Sequence, residues 1–317
     1  MAEKGNLESN ILFVSGPPRA GTTLLELVLS SHPDITITPE TLFIQQIFNK
    51  RPNAHQILTK EEAHRVLQLI KSDSKLNSWE SLNVDTFIER FEHKDFTLAE
   101  LAYNLFKVYA ELSNGGRKFI GNKKGFYSEG YGQYMKSHVF PNAKFIFIVR
   151  DPRDVVRSII QNLATKSIIN ATSILYERDQ FINEVKVKFP EDTCIIRYED
   201  LVINPEKVCN EMCSFLNLPF HDDMLHYYLK NQDGEKLVGI TKDIHQNTNS
   251  NFNPGLIDQW KRQETFSKNE LLLIESVTSG YMERYGYSHY TSKWNRLLNW
   301  NKYKATKRFS KIKKDRE

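Results

Sequence analysis

Cysteine is scarce: only Cys194, Cys209 and Cys213 occur in 317 residues, and none sits in a CxxC pair or at a Cys/His ligand spacing. That excludes a disulfide-stapled scaffold and a zinc ribbon, and predicts reduced, buried packing thiols in a reducing cytoplasm. Apolar runs are short. Phe145–Val149 is five residues, against the roughly 20 that a bilayer-spanning helix needs. No single sign of charge dominates, because 43 Lys and Arg face 39 Asp and Glu for a net of +4, so whole-chain charge supports no nucleic-acid partner. With 14 glycines and 11 prolines and no internal repeat, collagenous and low-complexity classes fall away. The polar opening Met1-Ala2-Glu3-Lys4-Gly5-Asn6 has no apolar leader segment, which predicts a chain that stays cytoplasmic.

The +4 is unevenly spread. Residues 293–317 hold ten cations and two acids, a net of +8, and everything before them holds 33 cations and 37 acids, a net of −4. We therefore expect one domain over 1–292 and a basic helix or tail over 293–317. Within that tail Trp294, Leu298, Ala305, Phe309 and Ile312 fall near one helical face. Such a face with basic flanks fits a peripheral contact with an anionic membrane surface or an acidic acceptor, and equally a final helix packed on the body with a solvated basic end.

Ile11–Ser15 reads as a buried strand ended by Gly16-Pro17-Pro18, and Leu24, Leu25, Leu27, Val28 and Leu29 follow at helical spacing. Further strands are expected at Lys118–Gly121, Lys144–Val149 and Thr193–Tyr198, and helices over 59–112, over 129–139, after Asp151-Pro152 and from Pro205 to Leu216. The polar stretch 233–254 reads as a loop or lid. Alternating strands and helices predict an α/β fold: a P-loop-containing, doubly wound parallel sheet flanked by helices, with helical insertions.

Gly16-Pro17-Pro18-Arg19-Ala20-Gly21-Thr22-Thr23 keeps the glycine spacing of GxxxxGK(S/T) between a strand and a helix. Its backbone N–H groups and the helix N-terminus can hold a phosphate. Thr22 stands where a nucleotide hydrolase has its Lys, which argues against ATP or GTP hydrolysis. Arg19 offers a cation inside the loop instead. A second candidate anion site is Arg150-Asp151-Pro152-Arg153-Asp154, at the end of a buried strand, with Ser158 about two turns into the next helix. The same five residues also fit a solvated capping cluster.

Together these motifs resemble the sulfotransferases that use 3′-phosphoadenosine 5′-phosphosulfate (PAPS). Gly16–Thr23 is similar to their 5′-phosphosulfate loop, and Val149–Ser158 to their 3′-phosphate motif, which implies Pro18, Arg19, Ala20, Gly21, Thr22, Thr23, Arg150 and Ser158 as nucleotide ligands. Arg197–Leu201 with Asn204-Pro205 resembles a segment whose tyrosine, here Tyr198, packs by the nucleotide. Gly255–Lys261 resembles a late segment before the final helices. Pro18–Thr23, Ser31–Asp34, Pro39–Thr41 and Asn122-Lys123 are closest to the tyrosylprotein sulfotransferases and their bacterial relatives. That resemblance implies Glu40 as catalytic base, with Arg19 and Lys123 as catalytic cations; Lys124 is adjacent to Lys123 and either could face inward.

The expected activity is sulfuryl transfer from PAPS to a hydroxyl of a carbohydrate, lipid or other small alcohol, or of peptidyl tyrosine. It releases 3′-phosphoadenosine 5′-phosphate (PAP) and needs no metal and no nucleic acid. A P-loop kinase or hydrolase would need the missing Lys at position 22, and a noncatalytic PAP-binding protein would be expected to have lost Arg19, Glu40 or Lys123. Among the nine histidines, His32 is expected to be structural, and His245 with Thr248, Ser250 and Asn251 is expected to contact substrate or adenosine.

Overall fold

The computed structural model describes residues 10–79, 82–113, 115–116, 118–124, 130–162, 165–229, 251–301 and 303. Strand β1 (Asn10–Ser15) leads through the glycine loop into helix α1 (Thr22–Ser30), and β2 (Ile35–Thr38) follows. Four helices then intervene: α2 (Phe43–Phe48), α3 (Lys60–Lys71), α4 (Val84–Glu89) and α5 (Leu98–Leu112). The chain returns as β3 (Phe119–Lys124), turns through α6 (Tyr131–Tyr134) and a π-helical turn at Met135–Val139, and continues as β4 (Lys144–Val149). Helices α7 (Pro152–Asn162) and α8 (Ile168–Lys188) precede β5 (Thr193–Arg197), α9 (Tyr198–Ile203) and α10 (Pro205–Leu216). The closing elements are α11 (Gln259–Arg262), α12 (Lys268–Val277), α13 (Ser279–Arg284) and a last helix over 293–301.

The five strands form one parallel sheet in the order β2-β3-β1-β4-β5. From β1 the chain crosses toward β2 at one edge, and from β4 it moves toward β5 at the other. The direction of winding therefore reverses between β1 and β4. Right-handed crossovers then put helices on opposite faces, and ligands bind beyond the strand ends at such a reversal. Ile11, Leu12, Phe13 and Val14 and the whole of Phe145–Val149 are buried, as strands covered on both faces require.

Several features differ from the sequence expectation, among them the helical stretch 59–112, which is broken into α3, α4 and α5. Strand β2 was not anticipated; its Thr36 and Thr38 are buried yet satisfied, Thr36 donating to the carbonyl of Gly116 at 2.7 Å and Thr38 accepting from Asn122 at 2.8 Å. Strand β3 extends to Lys124, so Asn122, Lys123 and Lys124 are strand residues. Cys209 and Cys213 are buried, but Cys194 is only half-buried. Burial pushes the Cys194 and Cys213 thiols up to about 11 and Cys209 up to about 12, which keeps all three protonated near neutrality.

Gly121 sits opposite Leu12 in the central pairing, and a Cβ there would lie 1.7 Å from the Leu12 carbonyl oxygen. Backbone cannot yield as a side-chain tip can. Gly121→Ala should lower unfolding free energy by about 2–3 kcal/mol, read as a shifted urea midpoint at unchanged slope.

Candidate active site

The loop after β1 is shaped by two residues in left-handed backbone. Gly21 has φ 105°, and Arg19 has φ 68°, which costs a side-chain-bearing residue about 1 kcal/mol. A Cβ on Gly21 would stand 2.7 Å from the Tyr198 ring, and one on Gly16 would stand 2.4 Å from the Ile148 carbonyl oxygen. The loop is thus pressed between the end of β4 and the first residue of α9. The Ala20 amide closes it by donating to the Pro17 carbonyl at 3.1 Å. Gly21 caps α1 with no side-chain hydrogen bond, and no acid lies in the helix's first turn. That N-terminus therefore presents its partial positive charge and backbone donors to an external anion.

Arg19 is turned toward α7, where its Nε donates to Ser158 Oγ at 3.0 Å. Arg150, at the end of β4, donates through Nη1 to the Arg19 carbonyl at 3.3 Å and through Nη2 to the Leu256 carbonyl at 2.6 Å. Its guanidinium lies 4.3 Å from the Tyr198 ring centre. Burial and the neighbouring Arg150 charge lower the Arg19 pKa, although a guanidinium starts far enough above neutrality to stay charged. Arg19, Arg150, Ser158 and Tyr198 are brought together around one loop.

The neighbours of Arg150 are not a solvated capping cluster. Asp151, Arg153 and Asp154 are buried. Arg153 spans Asp151 at 2.7 Å and Glu275 at 2.8 Å and covers the Trp260 ring at 4.1 Å. The Asp151 amide donates to Glu199 at 2.9 Å, and the Trp260 amide donates to Asp154 at 2.8 Å. Burial raises the Asp154 pKa, partly opposed by Arg150, whose Nη2 is 3.9 Å away. The Tyr281 hydroxyl holds the Arg150 backbone from both sides, accepting from its N–H at 2.9 Å and donating to its carbonyl at 2.8 Å. The late segment around Trp260 is therefore a brace for the strand end.

Glu40 follows β2 at the same edge of the sheet. Asn122 fixes that stretch by donating to the Thr38 hydroxyl at 2.8 Å and to the Pro39 carbonyl at 2.7 Å. Because side chains alternate along a strand, the two lysines diverge. Lys123 lies 3.0 Å from Glu26 of α1 and 3.4 Å from the Thr23 hydroxyl. Lys124 donates to the Thr41 carbonyl at 2.8 Å and lies 3.9 Å from Glu40. Thus Lys123 reaches the glycine loop while Lys124 flanks Glu40. Burial raises the Glu26 pKa, with Lys123 opposing; burial lowers the Lys124 pKa, with Glu40 opposing.

Lys75 escapes sequence reasoning: its ammonium pairs directly with the Glu40 carboxylate from the turn after α3. Asp73 holds that turn. Its carboxylate accepts from the amides of Leu42 and Phe43 at 2.7 and 2.9 Å, and from those of Lys75 and Leu76 at 3.0 and 3.1 Å. Glu40 is thus no helix cap, since α2 starts at Phe43 and a residue from 30 positions away caps it. His32 has its Nε2 2.9 Å from the Pro219 carbonyl and its Nδ1 accepting from the Asp34 amide at 3.0 Å, so it ties a turn. His245, Thr248 and Ser250 lie outside the described residues; Asn251 is exposed.

A sequence profile of the sulfotransferase family matches residues 12–222, and the chain belongs to that family. It is similar to the protein-tyrosine sulfotransferase of Drosophila melanogaster, 26% identical over 250 residues covering 76% of this chain and 45% of the fly protein. Protein-tyrosine sulfotransferase 1 of Danio rerio is 26% identical over 240 residues, covering 74% of this chain and 58% of that one. The chain spans about half the length of these relatives. The sulfotransferase domain from the curacin biosynthetic pathway shares the fold, with a TM-score of 0.60 over 90% of this chain and all of that domain at 22% identity.

Asp73→Ala should strip four amides, two of them buried, of their acceptor and lower stability by about 2–3 kcal/mol. Denaturant unfolding measures the loss, which Asp73→Asn should reduce.

Proposed function

We propose that the protein transfers the sulfuryl group of PAPS to a hydroxyl of an acceptor, with Glu40 as the base. The observation that carries this reading is the bond between Arg19 and Ser158 beneath Arg150, which joins the glycine loop of β1 to the anion motif of β4. The open N-terminus of α1 suits a 5′-phosphosulfate. Arg150 and Ser158 suit the 3′-phosphate, and Tyr198 suits the nucleoside between them. No ligand set for a metal appears among the described residues, and the proposed steps route nothing through one.

In the step itself the acceptor O–H gives its proton to the Glu40 carboxylate, and the acceptor oxygen forms a bond to sulfur. The bond from sulfur to the 5′-phosphate oxygen breaks, and PAP leaves with that electron pair. Arg19, which would turn from Ser158 toward the transferring group, and Lys123, bonded to Thr23, are the cations assigned to the charge that builds on the sulfuryl and leaving oxygens. Lys75 and Lys124 hold the Glu40 carboxylate from two sides. Four adjacent strand ends supply these groups, and at about 4.8 Å per strand they span about 14 Å along one edge. The acceptor class is a hydroxyl compound; the fly and zebrafish relatives are named for protein tyrosine.

Incubation with sulfur-labelled PAPS and candidate alcohols or tyrosine peptides tests the reaction directly, and calorimetry should give tighter binding of PAP than of ATP. Arg150→Ala should weaken PAP binding about tenfold or more, with a smaller loss for adenosine 5′-phosphosulfate, which lacks the 3′-phosphate but shares the loop that Arg150 holds. Glu40→Gln should reduce kcat by about 10²-fold or more with PAP affinity retained. Lys75→Met should lower kcat about tenfold, again with PAP affinity kept; single-turnover kinetics separates these effects from product release.

A further inference from the structure

The last helix, over 293–301, has two faces with different surroundings. Its start is capped by Ser292, whose Oγ accepts from the Asn295 amide at 3.4 Å. The inner face is anchored on the body. Asn299 donates to Ser276 of α12 at 3.3 Å, and the Trp300 ring lies 5.5 Å from Tyr176 of α8. Tyr303, just beyond, shares a 2.6 Å hydrogen bond with Ser173 of α8 and stacks on Trp300. Arg296 on this side is 8% exposed.

The outer face is apolar and uncovered. Trp294, Leu297 and Leu298 stand at the i, i+3 and i+4 positions that share one helix stripe, with exposures of 78%, 48% and 63%, and Tyr290 beside the helix start is 65% exposed. A helix already packed on one side has no structural need for an apolar opposite side. We infer that this face docks on an anionic lipid surface.

Three observations select that occupant. The stripe carries a tryptophan and two leucines, residues that settle at the boundary between headgroups and acyl chains. In sequence, residues 293–317 hold nine cations besides the inward-facing Arg296, against two acids, on a chain whose remaining residues net −4, so attraction to anionic headgroups is concentrated here. A symmetric dimer through the stripe would bring two such +8 segments together, and that repulsion disfavours a second copy as the partner. No described helix is long and apolar enough to cross a membrane, so the contact is with the surface.

The test is co-sedimentation of the full chain with vesicles of phosphatidylcholine alone and of phosphatidylcholine mixed with phosphatidylglycerol. Binding is expected to the mixed vesicles, to fall steeply with added salt, and to be weak on phosphatidylcholine alone. The double variant Trp294→Ser, Leu298→Ser should cut partition into mixed vesicles about tenfold or more, with its melting curve and PAP affinity unchanged. Gln substitutions at Lys304, Lys307, Arg308 and Lys311 should weaken binding to mixed vesicles alone. Equal binding to both vesicle types, or wild-type partition by the serine variant, overturns the proposal. So does a lipid-free dimer that light scattering detects and the serine variant abolishes, because the face would then belong to a second copy. PAP affinity is read separately, so failure here leaves the nucleotide assignment standing.

Discussion

A guanidinium almost wholly withdrawn from water needs partners, and Arg150, its side chain 11% exposed, is the residue around which this structure is arranged. An isolated buried cation is prohibitively costly. Here the cost is offset by two backbone carbonyls, an aromatic face and a carboxylate. Each partner belongs to a different piece of the chain: the glycine loop, the segment at Leu256, helix α9 and helix α7. Satisfying one charge therefore fixes four segments relative to the sheet. The buried cluster beneath it, with Arg153 between Asp151 and Glu275, makes the arrangement stiff rather than adaptable.

The opposite half of the site depends on a different constraint. Glu40 stands at the end of an edge strand, where only one neighbour in the sheet, β3, can position it. The helical insertion supplies the other side: Asp73 ties the turn after α3 to the start of α2, which brings Lys75 onto the carboxylate. The insertion thus shapes the surroundings of Glu40, since it brings Lys75 onto a carboxylate that Lys124 of β3 also approaches.

Much of this was legible in local pattern. The buried runs of β1 and β4, the glycine spacing and the proline at the start of α7 each fix a short stretch of backbone by themselves. The elements that escaped did so for physical reasons. Strand β2 is four residues long with alternating threonines, a pattern that reads as half-exposed, yet both threonines are buried with long-range partners. The end of β3 is polar, so it resembles a loop until its lysines are seen to be paired. The 21 residues of α8 were not anticipated at all; the helix buries polar Thr172, Ser173 and Asp179 among its apolar contacts, which blurs its stripe.

Contiguous residues were enough to place the glycine loop, the strand after which Arg150 emerges and the family to which the chain belongs, because hydrogen-bonding and steric rules act over a few neighbours. Folding alone decided which lysine lies by the loop and which by Glu40, that Arg19 meets Ser158 across 139 residues, and that Lys75 pairs with Glu40. One residue of strand register reverses a side chain's face, and a pairing between distant segments leaves no trace in the spacing of either. Those choices are made by the sheet's close packing and by the requirement that every buried charge find a partner.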